Sequence, residues 1–323
     1  MSQTSDIKPI GGYFTLEINP FNNMPNAFGV LLNTGRNALE YVLRSLGNCT
    51  KLYIPYFTCD SVIEPLTKLN ISHEFYSINE RLEIQSPISL NKGEYLVYTN
   101  YYGIKDEYIK KLASIYPTQL IVDNAQALFC PPTNKCIYSP RKFVGLPDGG
   151  IAFTDTSFAF EELTADISHD RCHHLLKRID VGAEAGYADF RANSAKLKNQ
   201  PIMQMSNLTR TLITSIDFEG VKDTRKKNFQ LLHEALSSSN KLEIPEIKSF
   251  ACPLVYPYLT DNRQLKQHLI ENKIFVATYW PNVLAWCNEN TIEYELADKV
   301  IAIPIDQRYG EKEMNIIIKL IKG

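Results

Sequence analysis

The sequence predicts an α/β fold, with a large doubly wound, mostly parallel sheet spanning residues 1–235 and a smaller C-terminal α/β domain spanning 236–323. Three observations carry this. Between Asn33 and Asp155, short runs rich in β-branched and aromatic residues alternate with segments of helical periodicity. From Asp155 to Ser237 helical spacing dominates. Beyond Leu254, strand and helix patterns resume as a second, smaller set.

Taken in order, a helix from Asn37 to Leu46, with Thr34 or Asn37 as its cap, precedes a strand from Leu52 to Phe57. A helix from Asp60 to Leu69 leads to a strand from His73 to Ile78. Strands at Glu94–Thr99 and Gln119–Val122 flank a helix near Asp106–Tyr116, and the short connections favour parallel pairing through helical crossovers. Ile151 to Thr154 forms a further strand after the flexible GLPDGG turn. Helices follow at Ser206–Ser215 and Val221–Ser237. The last unit reads as strand Leu254–Leu259, helix Arg263–Glu271, strands Phe275–Tyr279 and Val300–Ile305, and helix Glu311–Ile321.

Composition narrows the function. With 323 residues and 44% hydrophobic content, the chain can bury a large core. The amino terminus lacks the basic-then-apolar pattern of a signal peptide, and no apolar run approaches a bilayer span, so a cytoplasmic protein without a membrane partner is expected. A net charge of −2 with scattered Lys and Arg offers no basic stripe for nucleic acid. Seven cysteines without CxxC spacing fit a reducing compartment. His169, Cys172, His173 and His174 would splay around a solvated helix face rather than converge on a metal, and Cys130 and Cys136 read as structural.

The chemistry-bearing pair is Asp123, closing the apolar run QLIVDNAQAL, and Lys142 in YSPRKFVGLPDGG. A pyridoxal phosphate enzyme needs a lysine to hold the cofactor aldehyde as a Schiff base and a buried carboxylate to keep the ring nitrogen protonated. Asp123 at the carboxyl end of a buried strand lies where ligands collect in open α/β sheets, and Ser139 in SxxK can reach a phosphate. Taken singly, these features fit a turn carboxylate and a solvated surface lysine better than a cofactor site.

As an ordered set, the motifs resemble the DegT family of sugar aminotransferases, over nearly the whole chain. LLNTGRNALEYVL (Leu31 to Leu43) is similar to the family's phosphate-binding turn into a helix, with Gly35 and Arg36 at the matching positions. LYIPYFTCDSVIEPL, YTNYYG, IVDNAQAL, PDGG, MSNLT, TYWP and IPIDQRYG follow in family order. The resemblance implies a fold type I pyridoxal phosphate enzyme in which Lys142 forms the Schiff base, Asp123 meets the ring nitrogen, Gln126 bonds the ring hydroxyl, and Gly35, Arg36 and Ser139 hold the phosphate.

The sequence also departs from the family pattern. Cys59 stands where an aromatic residue commonly stacks on the ring, leaving Tyr56 or Phe57 to take that place. Asn100 replaces a histidine, and the interval from Asp123 to Lys142 is short. The family's phosphate-reaching asparagine of the neighbouring subunit falls near Ile202, with Asn193 and Asn199 as nearby substitutes. The expected function is transamination of a nucleotide-linked keto sugar with an amino acid donor such as glutamate, by a homodimer, for cell-surface polysaccharide. Two alternatives stand beside it. One is a non-catalytic sugar-nucleotide or partner-binding descendant; the other is a sugar dehydratase, whose branch replaces the lysine with histidine.

Overall fold

A computed structural model describes residues 12–156, 162–245 and 251–323; most of the amino-terminal stretch read for a leader lies outside them. The first unit is a seven-stranded sheet, formed by β1 (Val30–Leu32), β2 (Lys51–Pro55), β3 (Ser72–Tyr76), β4 (Glu94–Thr99), β5 (Leu120–Asn124), β6 (Cys136–Tyr138) and β7 (Gly150–Phe153). Its order is β1-β7-β6-β5-β4-β2-β3, which makes β5 the central strand. Strands β2 to β6 pair in parallel, while β7 runs antiparallel to both β6 and β1.

Successive side chains on a strand point to opposite faces, so a strand buried on both sides needs apolar residues at every position. The two core clusters follow that alternation. Leu96, Tyr98, Leu120, Val122, Cys136, Tyr138 and Ile151 belong to one. Their neighbours Val97, Ile121, Ile137 and Ala152 belong to the other, together with Ala38, Leu39 and Val42 of helix α1 (Gly35–Ser45) and Leu66 of α2 (Ile63–Leu69). Helix α3 (Asp106–Ile115) packs Ile109 and Leu112 on the first face. The sheet is thus covered on both sides, as a doubly wound fold requires.

After β7 the chain turns helical: α4 (His173–Asp180) and α5 (Ala183–Lys196) form a hairpin, followed by α6 (Asn207–Thr214) and the long α7 (Phe218–Leu236). The C-terminal part pairs β8 (Val255–Leu259) with β9 (Val300–Pro304) antiparallel and adds α8 (Leu265–Glu271), α9 (Val283–Trp286), α10 (Ile292–Lys299) and α11 (Glu311–Lys322). The strand expected at Phe275–Tyr279 does not form; only Ala277 makes a bridge, to Ala302. The chain instead turns into α9, so the segment meets β9 at that one residue rather than adding a strand to the pair.

Arg225 on α7 joins the two parts. Its side chain is 2% exposed. Nη1 donates to the Leu254 carbonyl at 2.9 Å, Nη2 to the Phe143 carbonyl at 3.0 Å and Nε to Gln307 Oε1 at 3.1 Å, with the guanidinium 4.7 Å from the Phe143 ring centroid. Gln307, in the IPIDQRYG segment, donates to the same Phe143 carbonyl at 3.0 Å. A buried guanidinium is tolerated when its donors are met in this way. Arg225→Met should therefore deprive the Leu254 carbonyl and Gln307 Oε1 of their donor, leave the Phe143 carbonyl to Gln307 alone, and lower the unfolding free energy by roughly 2–5 kcal/mol in urea titration; an unchanged midpoint would contradict this role.

Candidate active site

Register and pleat place the site. Asp123 lies opposite Thr99 on β4 and Ile137 on β6. It is two residues on from Ile121, so its side chain points to the same, α1, face of the sheet, at the carboxyl end of the central strand. Ser139, two residues after Ile137, falls on the same side. The amino terminus of α1 arrives there as well, because Thr34 caps it: its side chain accepts from Asn37 N at 3.0 Å. The amides of Gly35 and Arg36 are left without intrahelical partners.

A cavity of about 230 Å³ opens at this point, and every residue expected from the sequence lines it: Gly35, Arg36, Asp123, Gln126, Ser139 and Lys142. Asp123 is 8% exposed, and one of its oxygens accepts from Ala125 N at 2.8 Å. Burial pushes its carboxyl up from the ordinary range, while the nearby Lys142 ammonium and the Ala125 amide pull it back. Gln126 is oriented by the Tyr102 amide, which donates to Oε1 at 2.7 Å. Its Nε2 is buried and has no partner. Lys142 ends a short 3-10 turn, Pro140–Lys142, and is itself exposed. Its ammonium makes no salt bridge among the described residues, and Arg225 and Gln307 hold the carbonyl of the next residue, Phe143.

Close backbone approach shapes the phosphate-sized end. A Cβ added to Gly35 would lie 3.4 Å from Ser139 Cβ and 3.5 Å from its Oγ, and one added to Gly150 would lie 2.8 Å from Gly35 N. Behind this turn, Asp148 is fully buried, paired with Arg171 at 3.0 Å and accepting from the Thr209 hydroxyl. Ser206 caps α6 through Thr209 N at 3.0 Å. The PDGG and MSNLT segments thus pin one another, and so position β7 beside α1.

Several expectations are corrected. Neither Tyr56 nor Phe57 lines the cavity: Tyr56 stacks on Phe75 at 4.8 Å, and Phe57 is buried against Tyr101 and Trp280. The aromatic residue at the cavity is Trp280, carried there by the TYWP segment and placed alongside Cys59. Asn193 cannot reach outward, because it is 4% exposed and donates to the Pro147 carbonyl of its own chain at 2.7 Å. Asn199 donates its backbone N–H to Glu64 at 2.9 Å and keeps its side chain exposed, so nothing here overturns it. Asn100 is fully buried and bonds Asp106 at 2.8 Å and Asn124 at 3.0 Å, which makes it part of the scaffold. His169 and His173 are exposed, whereas His174 turns inward against Phe190 at 5.7 Å, so that group is not one solvated face. Arg141 and Ser194 also line the cavity and were not singled out by sequence reasoning. The place of Arg141 beside Lys142 in SPRK was the available signal.

No protein-family model matches the sequence, and no curated protein does. Among solved structures, a DegT DnrJ EryC1 StrS aminotransferase from Brucella abortus aligns over 91% of this chain and 85% of its own, with a TM-score of 0.60 and 15% identity. Sugar aminotransferase Spr1654 from Streptococcus pneumoniae, in its PMP form, aligns over 94% and 88%, with a TM-score of 0.63 and 13% identity. DesI, solved in the presence of its TDP-sugar product, aligns over 91% and 79%, with a TM-score of 0.61 and 14% identity. The chain therefore has the fold of these aminotransferases, the mostly parallel fold type I architecture expected from its motifs.

The buried carboxyl also makes a stability prediction. With its folded pKa above the unfolded one, Asp123 favours the folded state below the unfolded value, and that contribution is lost as pH rises through the folded value. Asp123→Asn should raise the melting temperature of the cofactor-free protein at neutral pH, and the gain should vanish on acidification below about pH 4. Equal melting curves at pH 7 would show that the carboxylate carries no such penalty.

Proposed function

We propose that this protein is a pyridoxal-phosphate-dependent aminotransferase that moves an amino group from an amino acid such as glutamate to a nucleotide-linked keto sugar. The observation that carries this reading is the convergence of Asp123, Gln126, Lys142, Ser139 and the α1 amino terminus on one cavity. The residues present fit the cofactor. Gln126 Nε2 is a buried donor in need of an acceptor such as a ring hydroxyl oxygen. Ser139 and the free amides at Gly35 and Arg36 suit a phosphate.

When bound, pyridoxal phosphate supplies a carbonyl carbon and a ring that draws electrons from the substrate carbon. Asp123 would hold the proton on the ring nitrogen, its own charge favoured by that partner and disfavoured by burial. Lys142 would hold the cofactor through Nζ, and the same amine, when free, would hold and move a proton at the substrate carbon. Its exposed, unpaired ammonium is free to do both. Trp280 would wall the ring where Cys59 provides no aromatic face.

Support for a nucleotide sugar comes from the likeness to DesI and its TDP-sugar product. A homodimer is supported by the apolar side chains left exposed on the α4–α5 hairpin, among them Ile179 at 81% and Tyr187 at 60%; α5 also carries Ser194 to the cavity. Among the described residues, no helix is long and apolar enough to cross a membrane. Cell-surface polysaccharide as the destination rests on the family resemblance alone.

Lys142→Ala should abolish both the borohydride-fixed cofactor adduct, read by peptide mass mapping, and turnover; an adduct that persists elsewhere in the variant would refute the assignment. No adduct in the wild type would instead favour a non-catalytic binding protein. Cofactor addition should quench tryptophan fluorescence, and Trp280→Phe should remove most of that quenching, because Trp286, the second tryptophan, packs on Phe75 away from the cavity. Quenching that survives the substitution would place the ring elsewhere.

A further inference from the structure

The lining of the cavity holds three cationic side chains, Arg36, Arg141 and Lys142, against the single carboxylate of Asp123. Arg36 has a carboxylate of its own, with Nε 3.2 Å from Glu64. Lys142 faces Asp123 electrostatically. Arg141 has neither. It is half-buried and donates to the hydroxyl of Ser194 at 3.1 Å, with the Phe190 ring 5.9 Å from its guanidinium carbon. No salt bridge to it forms among the described residues. Burial and the repulsion of Arg36 bring its pKa down to about 10, and Asp148 only partly offsets them. A guanidinium held in this way, at the wall of a cavity and next to a second guanidinium, is a charge waiting for an anion.

The position of Arg141 says which anion. It lies between Ser139 and Lys142, in the 3-10 turn that Ser139 precedes, and Ser139 Oγ would lie 3.5 Å from a Cβ added to Gly35 at the amino terminus of α1. The amino terminus of α1, a serine hydroxyl and two guanidinium groups thus line one cavity, with Arg36 near enough to Arg141 to repel it, and they lie on the opposite side of Lys142 in sequence from the Phe143 clamp. Resting on the aminotransferase reading above, we propose that Arg141 binds the phosphate monoester of the cofactor, so that the phosphate is gripped by groups of a single chain. Ser194 on α5 orients the guanidinium, and Arg36, already paired with Glu64, contributes the smaller share of the charge.

The test compares pyridoxal phosphate with pyridoxal, which lacks the phosphate, by absorbance titration of wild type, Arg141→Gln and Arg141→Lys, with a nucleoside diphosphate as a third ligand. Wild type should prefer the phosphorylated form. Arg141→Gln should weaken pyridoxal phosphate on the order of tenfold or more, the loss expected for one charge-assisted hydrogen bond, and leave pyridoxal unchanged. Arg141→Lys should recover part of the loss. The melting temperature of the cofactor-free Arg141→Gln protein should equal or exceed that of wild type, since an unpaired charge has been removed. An unchanged preference for the phosphorylated form would overturn the proposal, as would a loss confined to the nucleoside diphosphate, which would assign Arg141 to the substrate. Equal weakening of both pyridoxal forms together with a lowered melting temperature would also overturn it, by making Arg141 structural. If wild type binds no pyridoxal compound at all, it is the aminotransferase reading that fails.

Discussion

The carbonyl of Phe143 is the point on which the arrangement depends. It accepts from Arg225 on the long helix and from Gln307 near the carboxyl end, and Arg225 also holds Leu254 at the entrance to the second sheet. Four segments far apart in the chain are fixed by one buried guanidinium and one amide. Their shared partner is the residue after Lys142, so the reactive amine is mounted on a clamped backbone while its own side chain stays free. A lysine placed in this way has a fixed root and a mobile tip, the combination that the proposed role in holding a cofactor would need.

The same economy governs the floor of the cavity. Asp123 is placed by a strand whose neighbours on both sides are parallel, and its depth is set by the pleat. Burial opposes its negative charge, and only one amide and a nearby ammonium counter this. The site therefore stores an electrostatic demand that a protonated ring nitrogen would satisfy, and stability is sacrificed where binding needs it. Gln126 and Arg141 carry the same kind of demand, one as an unpartnered donor and the other as an unpaired cation. These polar groups around one cavity are the ones that the proposed cofactor would partner, with a proton donor, a hydrogen-bond acceptor and an anion.

The departures from the family pattern compensate for one another in space. Cys59 leaves one side of the cavity without an aromatic face, and Trp280 from the distant TYWP segment lies alongside it. Asn282, just beyond, donates to the Thr58 carbonyl at 2.9 Å and ties that segment to the loop after β2. Asn193 is committed to the Pro147 carbonyl, Asn199 keeps its side chain exposed, and Arg141 lies on the cavity wall.

Read alone, the sequence determined the order of the elements and the residues Gly35, Arg36, Asp123, Gln126, Ser139 and Lys142, because strand alternation, helix spacing and local motifs are short-range properties carried by neighbouring residues. It also placed the Glu94–Thr99 strand to the residue. What it could not carry was any relation made across the fold. Trp280 at the cavity, the inward turn of His174, the absent strand at Phe275–Tyr279 and the clamp on Phe143 each depend on which distant segment packs against which. Such contacts are chosen by the burial of whole surfaces and the pairing of buried polar groups, and only the tertiary structure decides those.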